Sequence, residues 1–357
     1  MRVVIAPDSF GGTLTAREAA AALAEGWHAE RPDDELVVVP MSDGGEGLLD
    51  VVHTGHDIAV TGEVCGPLGL PTDGWVSLRP DGTAVIESAV ACGLALVPED
   101  RRTPMRTTTY GVGELIDLAI SAGATRIVIG LGGSSTVDGG TGALTGLGYR
   151  LRVADGSGLK IGGADLGRVA TVEQGWATLP DDVDVELLAD VEDTLAQAAA
   201  VYGPQKGATP DDVAVLEQAL TTWADVAERD FDRSGTRDVP GSGAAGGLGF
   251  GLMVGLGAVM TPGAARVADL VGLDDALDGA NLVLTGEGRL DATSTRGKVV
   301  GEVLRRAGAL GVPVRAVVGG GLDHVPGIEQ VVHAPGTDTE TAMAALATAA
   351  RQMAAGA

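Results

Sequence analysis

The stretch Asn281–Lys298, NLVLTGEGRLDATSTRGK, constrains this chain more than any other. Asn281–Leu284 is a short apolar run with strand character. It breaks into Thr285-Gly-Glu-Gly-Arg-Leu-Asp291, where two glycines alternate with charged residues. Ser294 and Thr295 then read as the cap of a predicted helix that begins near Arg296 and carries Lys298 in its first turn. A strand, a polar glycine turn and a helix start in succession belong to a parallel α/β sheet. In such sheets anions and metals gather at the carboxyl ends of the strands. The bare N–H groups and the dipole of a helix start favour phosphate there.

The same grammar recurs. Arg2–Ala6 is stopped by Pro7 and runs into Asp8-Ser-Phe-Gly-Gly-Thr13, then a helix from about Ala16 to Glu30 with a Thr15/Glu18 capping box. Glu35–Val39 leads to Ser42-Asp-Gly-Gly-Glu-Gly47 and a helix through Val52. Arg126–Leu131 leads to Gly132-Gly-Ser-Ser-Thr-Val-Asp-Gly-Gly140, which resembles a backbone nest for phosphate. Val185–Ala189 ends at Asp190, and Lys206 follows in Gly203-Pro-Gln-Lys-Gly207. A carboxylate thus stands at the end of strand after strand. Asp43 beside Asp8 would suit Mg²⁺, which takes one or two carboxylates with water and phosphate oxygens.

Between these blocks the pattern changes. Ile58–Val64, Gly74–Leu78 and Thr83–Glu87 have hairpin spacing and predict a separate, partly antiparallel domain. A long amphipathic helix is predicted from Thr209 to about Asp230, and Gly241–Gly249 opens an apolar helix over Phe250–Val259. Its glycines serve either close packing or ligand approach. Strands at Val312–Val318 and Ile328–His333 and a helix from Thr339 to about Met353 then return to the first pattern. The expected architecture is a two-domain α/β protein. Residues 1–60 with 278–357 form a parallel-sheet domain, 61–277 form an inserted mixed α/β domain, and the active site lies in the cleft between.

Composition narrows the chemistry. The net charge of −25, from 49 acidic and 24 basic residues, argues against nucleic acid or an anionic membrane as partner. No apolar run is long enough to span a bilayer, so a soluble cytoplasmic protein is expected. Cys65 and Cys92 offer neither a disulfide framework nor zinc spacing. Three lysines stand among 24 basic residues, Lys160, Lys206 and Lys298, and the last two sit in glycine motifs that call for a compact point charge. No Ser/His/Asp or Cys/His set accompanies the loops. Glycine cradles, paired acids and a few cations match phosphoryl transfer, which needs positioning and charge neutralisation more than covalent help. In that chemistry an aspartate accepts a hydroxyl proton while Lys206 or Lys298 neutralises the moving group. Neither a Walker A sequence nor the protein-kinase signature set is present.

Taken together, Ala6-Pro-Asp-Ser-Phe10, Asp43-Gly-Gly-Glu-Gly47, Gly130-Leu-Gly-Gly-Ser134 with Asp138-Gly-Gly140, Gly203-Pro-Gln-Lys-Gly-Ala208, and Thr285–Asp291 with Gly297-Lys298 resemble the bacterial glycerate kinase type I family. The resemblance runs in order over nearly the whole chain. It implies ATP- and Mg²⁺-dependent phosphorylation of D-glycerate, with 2-phosphoglycerate the favoured product, on a Rossmann-like domain carrying an inserted second domain. On that reading Gly132, Gly133, Ser134, Gly286, Gly288, Lys206 and Lys298 hold the nucleotide phosphates. Asp43 and Asp190, with Asp8 as a further candidate, hold Mg²⁺. Asp8, Ser9, Glu287 and Arg289 receive the substrate, and Asp190 or Asp291 is the base beside Lys206. A homodimer is the candidate assembly. The chain departs from the pattern at three places: Gly11 stands where lysine is usual, Val137 where asparagine is usual, and Asp193 where asparagine is expected. Arg17 and Arg289 are the candidates to replace the missing cation. The alternatives are a kinase for a related hydroxy acid, or a sugar-acid sensor that binds without turnover.

Overall fold

The computed structural model describes residues 1–176, 179–180, 183–295 and 297–357, so the expected helix start at Arg296 lies outside the described residues. The chain divides into two units, Met1–Val52 with Pro262–Ala357, and His53–Thr261. The first unit therefore takes in 262–277, which the sequence reading assigned to the insertion. Two short helices in that segment, Gly263–Leu270 and Leu273–Leu277, explain this. Arg306 ties both of them down through Asp269 at 2.7 Å and Asp274 at 2.8 Å.

Among the described residues the first unit carries five strands: β1 (Arg2–Ile5), β2 (Glu35–Val38), β3 (Leu282–Glu287), β4 (Val314–Val318) and β5 (Ile328–His333). They pair in the order β5-β4-β3-β1-β2, parallel throughout. The central runs are apolar without alternation because helices cover both faces: Val3, Val4, Ile5, Leu282, Val283 and Leu284 are all buried. Helix α1 (Ala16–Glu30) begins at the expected capping box, where Glu18 N–H donates to Thr15 Oγ1 at 3.2 Å and Thr15 N–H to Glu18 Oε2 at 2.8 Å. It buries Ala16, Ala19, Ala20, Leu23 and Trp27 at helical spacing. Helix α2 covers Val299–Ala309, and helix α3 (Thr339–Ala355) packs on α1. Gly26 permits that contact, since a Cβ there would fall 2.0 Å from the Ala347 carbonyl oxygen.

The second unit has a six-stranded mixed sheet among the described residues. Its order is Val259–Thr261, Asp184–Leu188, Arg126–Gly130, Thr83–Glu87, Pro71–Leu78, Ile58–Cys65. The first four strands are parallel, and the last two form the antiparallel hairpin expected from their spacing. The helix expected over Phe250–Val259 instead spans Ala244–Leu256. Gly257, at φ +73°, stops it, and Val259–Thr261 becomes the edge strand. At its start Ala245, Gly246 and Gly247 all have positive φ. A Cβ on Gly246 would meet the Thr136 carbonyl at 2.0 Å, and one on Gly251 the Gly139 carbonyl at 2.6 Å. These glycines serve close packing against the turn at 136–140. No helix among the described residues is long and apolar enough to cross a membrane.

Candidate functional site

In the first unit β2 lies on one side of β1 and β3 on the other, so the strand order, not the strand direction, reverses between β1 and β3. Open parallel sheets bind ligands outside the carboxyl ends of the strands at such a point. The two loops concerned are 7–14 and 288–298, the two glycine turns with which the sequence reading began. Backbone and side chain stitch together the strand ends from which these loops leave. Ala6 N–H donates to the Leu284 carbonyl at 2.7 Å, Asp8 N–H to the Gly286 carbonyl at 2.8 Å, and Thr285 Oγ1 to the Ala6 carbonyl at 2.8 Å.

Beside them lies a cavity of about 480 Å³ lined by Asp8, Ser9, Gly11, Glu287, Gly288, Arg289, Asp291 and Lys298, with Gly319, Pro335 and Gly336 from the neighbouring loops. A second cavity, of about 410 Å³, adjoins Asp8 and Ser9 on the side of Ser42, Glu46 and Asp50. Six residues expected at a substrate or phosphate site, and the candidate base Asp291, thus share one cavity wall. Gly286 is not among them. It is buried behind the wall, and its bare Cα is required because a Cβ would lie 2.1 Å from the Val317 carbonyl oxygen. Gly319 and the Pro335–Gly336 turn were not singled out from the sequence, although Gly319 follows β4 as the other glycine turns follow β1 and β3.

The acids at this end differ in character. Burial pushes the Asp8 carboxyl up to about 7, and the carboxylates of Asp43 and Glu287 push the same way, against the Ser9 N–H. Burial likewise raises Glu287, with Ser294 and Lys298 opposing. One of its oxygens, Oε1, is buried without a hydrogen-bond partner. Asp291 is held below the usual range by the Thr293 hydroxyl and N–H, at 2.6 and 2.7 Å. An acid stabilised in that way is a weak candidate for a base. Asp43 lines neither cavity, but its charge reaches both Asp8 and Glu287, and its Oδ1 accepts from Gly45 N–H at 3.0 Å.

Lys298 caps α2 rather than riding in its first turn. Ser294, expected to cap that helix, instead accepts the Asp291 N–H on Oγ at 2.9 Å and the Gly301 N–H on its carbonyl at 3.0 Å, which holds the loop back from helix. Of the two arginines that might replace a lysine at position 11, Arg17 pairs with Asp50 at 3.3 Å, whereas Arg289 lines the cavity with Gly11.

In the second unit the ends of three parallel strands meet. Ser88 N–H donates to the Gly130 carbonyl at 3.0 Å and Leu131 N–H to the Leu188 carbonyl at 3.2 Å. This places Asp190, just beyond Leu188, at the same sheet end as the turn 132–140. In that turn Gly132 and Gly133 reach the surface and Ser134 is buried. Lys206 is 2% exposed, and its Nζ donates to Ser134 Oγ at 2.9 Å and the Thr136 carbonyl at 2.8 Å. Burial pulls its pKa down to about 8, against the pull of Cys92 and Asp138. The lysine read from the sequence as a phosphate ligand is therefore bound beneath the turn. Asp138 is a structural knot: its carboxylate accepts Thr109 N–H at 2.9 Å, Thr109 Oγ1 at 2.9 Å and Gly140 N–H at 3.1 Å. Val137 is fully buried in the core, and Asp193 Oδ2 accepts the Tyr202 hydroxyl at 2.7 Å.

Among the described residues no three His, Cys, Asp or Glu side chains are grouped closely enough to hold a metal ion by themselves. Asp43 and Asp190, paired as metal ligands in the sequence reading, belong to different units.

Known proteins place this architecture. The glycerate kinase family profile matches residues 3–356. A Bacillus subtilis (strain 168) protein named glycerate kinase is 42% identical over 325 residues, 89% of this chain and 85% of its own. An Escherichia coli (strain K12) protein named glycerate 2-kinase is 38% identical over 344 residues, covering 95% and 89%. A crystal structure from Salmonella typhimurium LT2, assigned as glycerate kinase 2, superposes with a TM-score of 0.89 at 37% identity over 100% of this chain and 98% of that one. The chain belongs to the glycerate kinase family.

Proposed function

We propose that this protein transfers the γ-phosphoryl group of ATP to D-glycerate and that 2-phosphoglycerate is the product. The observation that carries the acid-binding half of this reading is the cavity at the β1/β3 reversal, where Arg289 and Lys298 stand among hydrogen-bonding groups in a chain with net charge −25. Against such a field a small anion needs local cations, and this wall supplies two. Arg289, Lys298 and the Ser9 hydroxyl receive the glycerate carboxylate. The phosphates of ATP are assigned to the Gly132–Gly133 backbone. Lys206 acts from below by holding Ser134 and Thr136 in place and setting a positive charge under the turn.

Asp190 is the proposed base. The substrate hydroxyl oxygen attacks the γ-phosphorus, the bond to the bridging oxygen of ADP breaks, and the hydroxyl proton passes to the aspartate. Mg²⁺ fits the first unit because the Asp43 carboxylate adds to the negative field on the buried Asp8, and Mg²⁺ asks for one or two carboxylates beside water and phosphate. Asp8 and Asp43 would hold it. Bound there it would neutralise phosphate charge.

The test is coupled ADP release with Mg-ATP and D-glycerate, followed by phosphorus and carbon NMR of the product. Glycerate-dependent turnover with the phosphoryl group on the 2-oxygen supports the proposal. A product bearing it on the 3-oxygen corrects the position. Binding of glycerate by calorimetry without turnover would leave a sensor in place of an enzyme.

A further inference from the structure

Glu287 is 6% exposed at the end of β3 and lines the 480 Å³ cavity. The Ser294 hydroxyl bonds to its carboxylate, yet Oε1 has no partner. Leaving a buried polar atom unpaired costs about 1–3 kcal/mol, and native proteins rarely tolerate it without a reason. Three other oxygens around the cavity have partners. Asp8 Oδ1 accepts the Ser9 N–H at 2.6 Å, Asp291 Oδ1 accepts two donors from Thr293, and Thr13 Oγ1 donates to the Phe10 carbonyl at 2.6 Å. Among the described lining residues, Glu287 Oε1 is the buried oxygen that still lacks a donor.

A hydroxy acid brings a carboxylate, which suits Arg289 and Lys298, and hydroxyl donors, which suit an empty acceptor. We propose that Glu287 Oε1 accepts a hydrogen bond from a substrate hydroxyl and thereby makes the site selective for acids with two adjacent hydroxyls over acids with one. This rests on the proposal that the substrate is glycerate and adds how the substrate is distinguished. An analogue lacking the recognised hydroxyl leaves Oε1 buried and unpaired. Sites built to bond a hydroxyl reject such analogues far more strongly than apolar pockets reject a missing methylene.

The experiment compares D-glycerate with D-lactate and 3-hydroxypropanoate, each lacking one hydroxyl, in the wild type, Glu287→Ala and Glu287→Gln. Calorimetric Kd is read for all three acids, and kcat/KM for those that keep the hydroxyl to be phosphorylated. The expected wild-type preference for glycerate over one of the two analogues is about 100-fold or more. Glu287→Ala should lose that preference, falling by a similar factor with glycerate and by less than about 3-fold with the poorer analogue. Glu287→Gln keeps an acceptor oxygen and should retain most of the preference. An alanine variant that drops equally on all three acids, or that keeps the wild-type ratio, overturns the assignment. Should Glu287→Ala fail to fold, wild-type binding decides: equal Kd values for the three acids overturn it. A wild type that discriminates in binding but never turns over glycerate would instead sink the kinase reading and leave this one standing.

Discussion

The ammonium of Lys206 lies 2.9 Å from the hydroxyl of Ser134 and is shut away from solvent beneath the glycine turn. Its charge therefore supports that turn and acts on anything above it through the turn. Lys206→Ala leaves the Ser134 hydroxyl and the Thr136 carbonyl without their donor, an expected loss of about 1–3 kcal/mol in denaturant unfolding. Lys206→Met fills the same space without a charge to desolvate, and should stay nearer wild-type stability. Both should raise the KM for ATP more than that for glycerate. An unchanged KM for ATP in the methionine variant would mean that this turn does not hold the nucleotide.

Position 11 and position 286 offer opposite outcomes for adding a side chain. A Cβ on Gly11 meets nothing within 4 Å, and its φ is not in the left-handed region. Gly11→Lys should leave stability within about 0.5 kcal/mol and lower the KM for the acid substrate by adding a third cation to the wall. Gly286→Ala drives a methyl into the Val317 carbonyl and should cost about 3 kcal/mol, with turnover falling as β3 and β4 are forced apart. Thermal unfolding and steady-state kinetics on the two variants check both.

The Asp8 carboxyl keeps its proton up to about pH 7 in the folded protein but ionises near 3.8 when unfolded. Between those values the folded state binds more protons, so this group's contribution to stability falls as pH rises through the window and is level above it. With a chelator present, Asp8→Asn should be more stable than wild type at pH 8 by on the order of 1–2 kcal/mol and indistinguishable at pH 3.5. Activity should fall in the same variant. Equal unfolding midpoints at pH 8 would show that Asp8 is not held against its own charge.

Asp190 carries the proton in the proposed reaction. Asp190→Asn should lower kcat by about 100-fold or more with little change in KM for glycerate. Retained kcat would move the base elsewhere, and the low proton affinity of Asp291 makes that residue a poor replacement.

Much of the fold was legible because local signals agreed with tertiary ones. Thr15 and Glu18 mark the start of α1, which spans Ala16–Glu30 as expected, and Ile328–His333 and Thr83–Glu87 fall where their apolar runs lie. The Ala244–Leu256 helix was misplaced because its first turn takes left-handed φ values that only its contact with the 136–140 turn explains. Asp8 and Glu287 were readable as strand-end acids, but their sharing one cavity follows from β1 and β3 being neighbours, which no local pattern encodes. The depth of Lys206 was hidden for the same reason. A lysine between glycines reads as a surface ligand until the helices around it are packed.

The bond from Thr285 Oγ1 to the Ala6 carbonyl joins residues 279 apart in the chain. During synthesis β1, α1 and β2 leave the ribosome long before β3 exists to cover the open flank of β1. A complete chain of the second unit is made in the interval, and domains fold as units as they emerge. The first unit therefore waits as an unpaired apolar strand edge, a species prone to sticking. Its cavity wall at the ends of β1 and β3 is among the last parts of the molecule to come into being. A nascent chain stalled before residue 282 should consequently bind chaperone, and one released at full length should not.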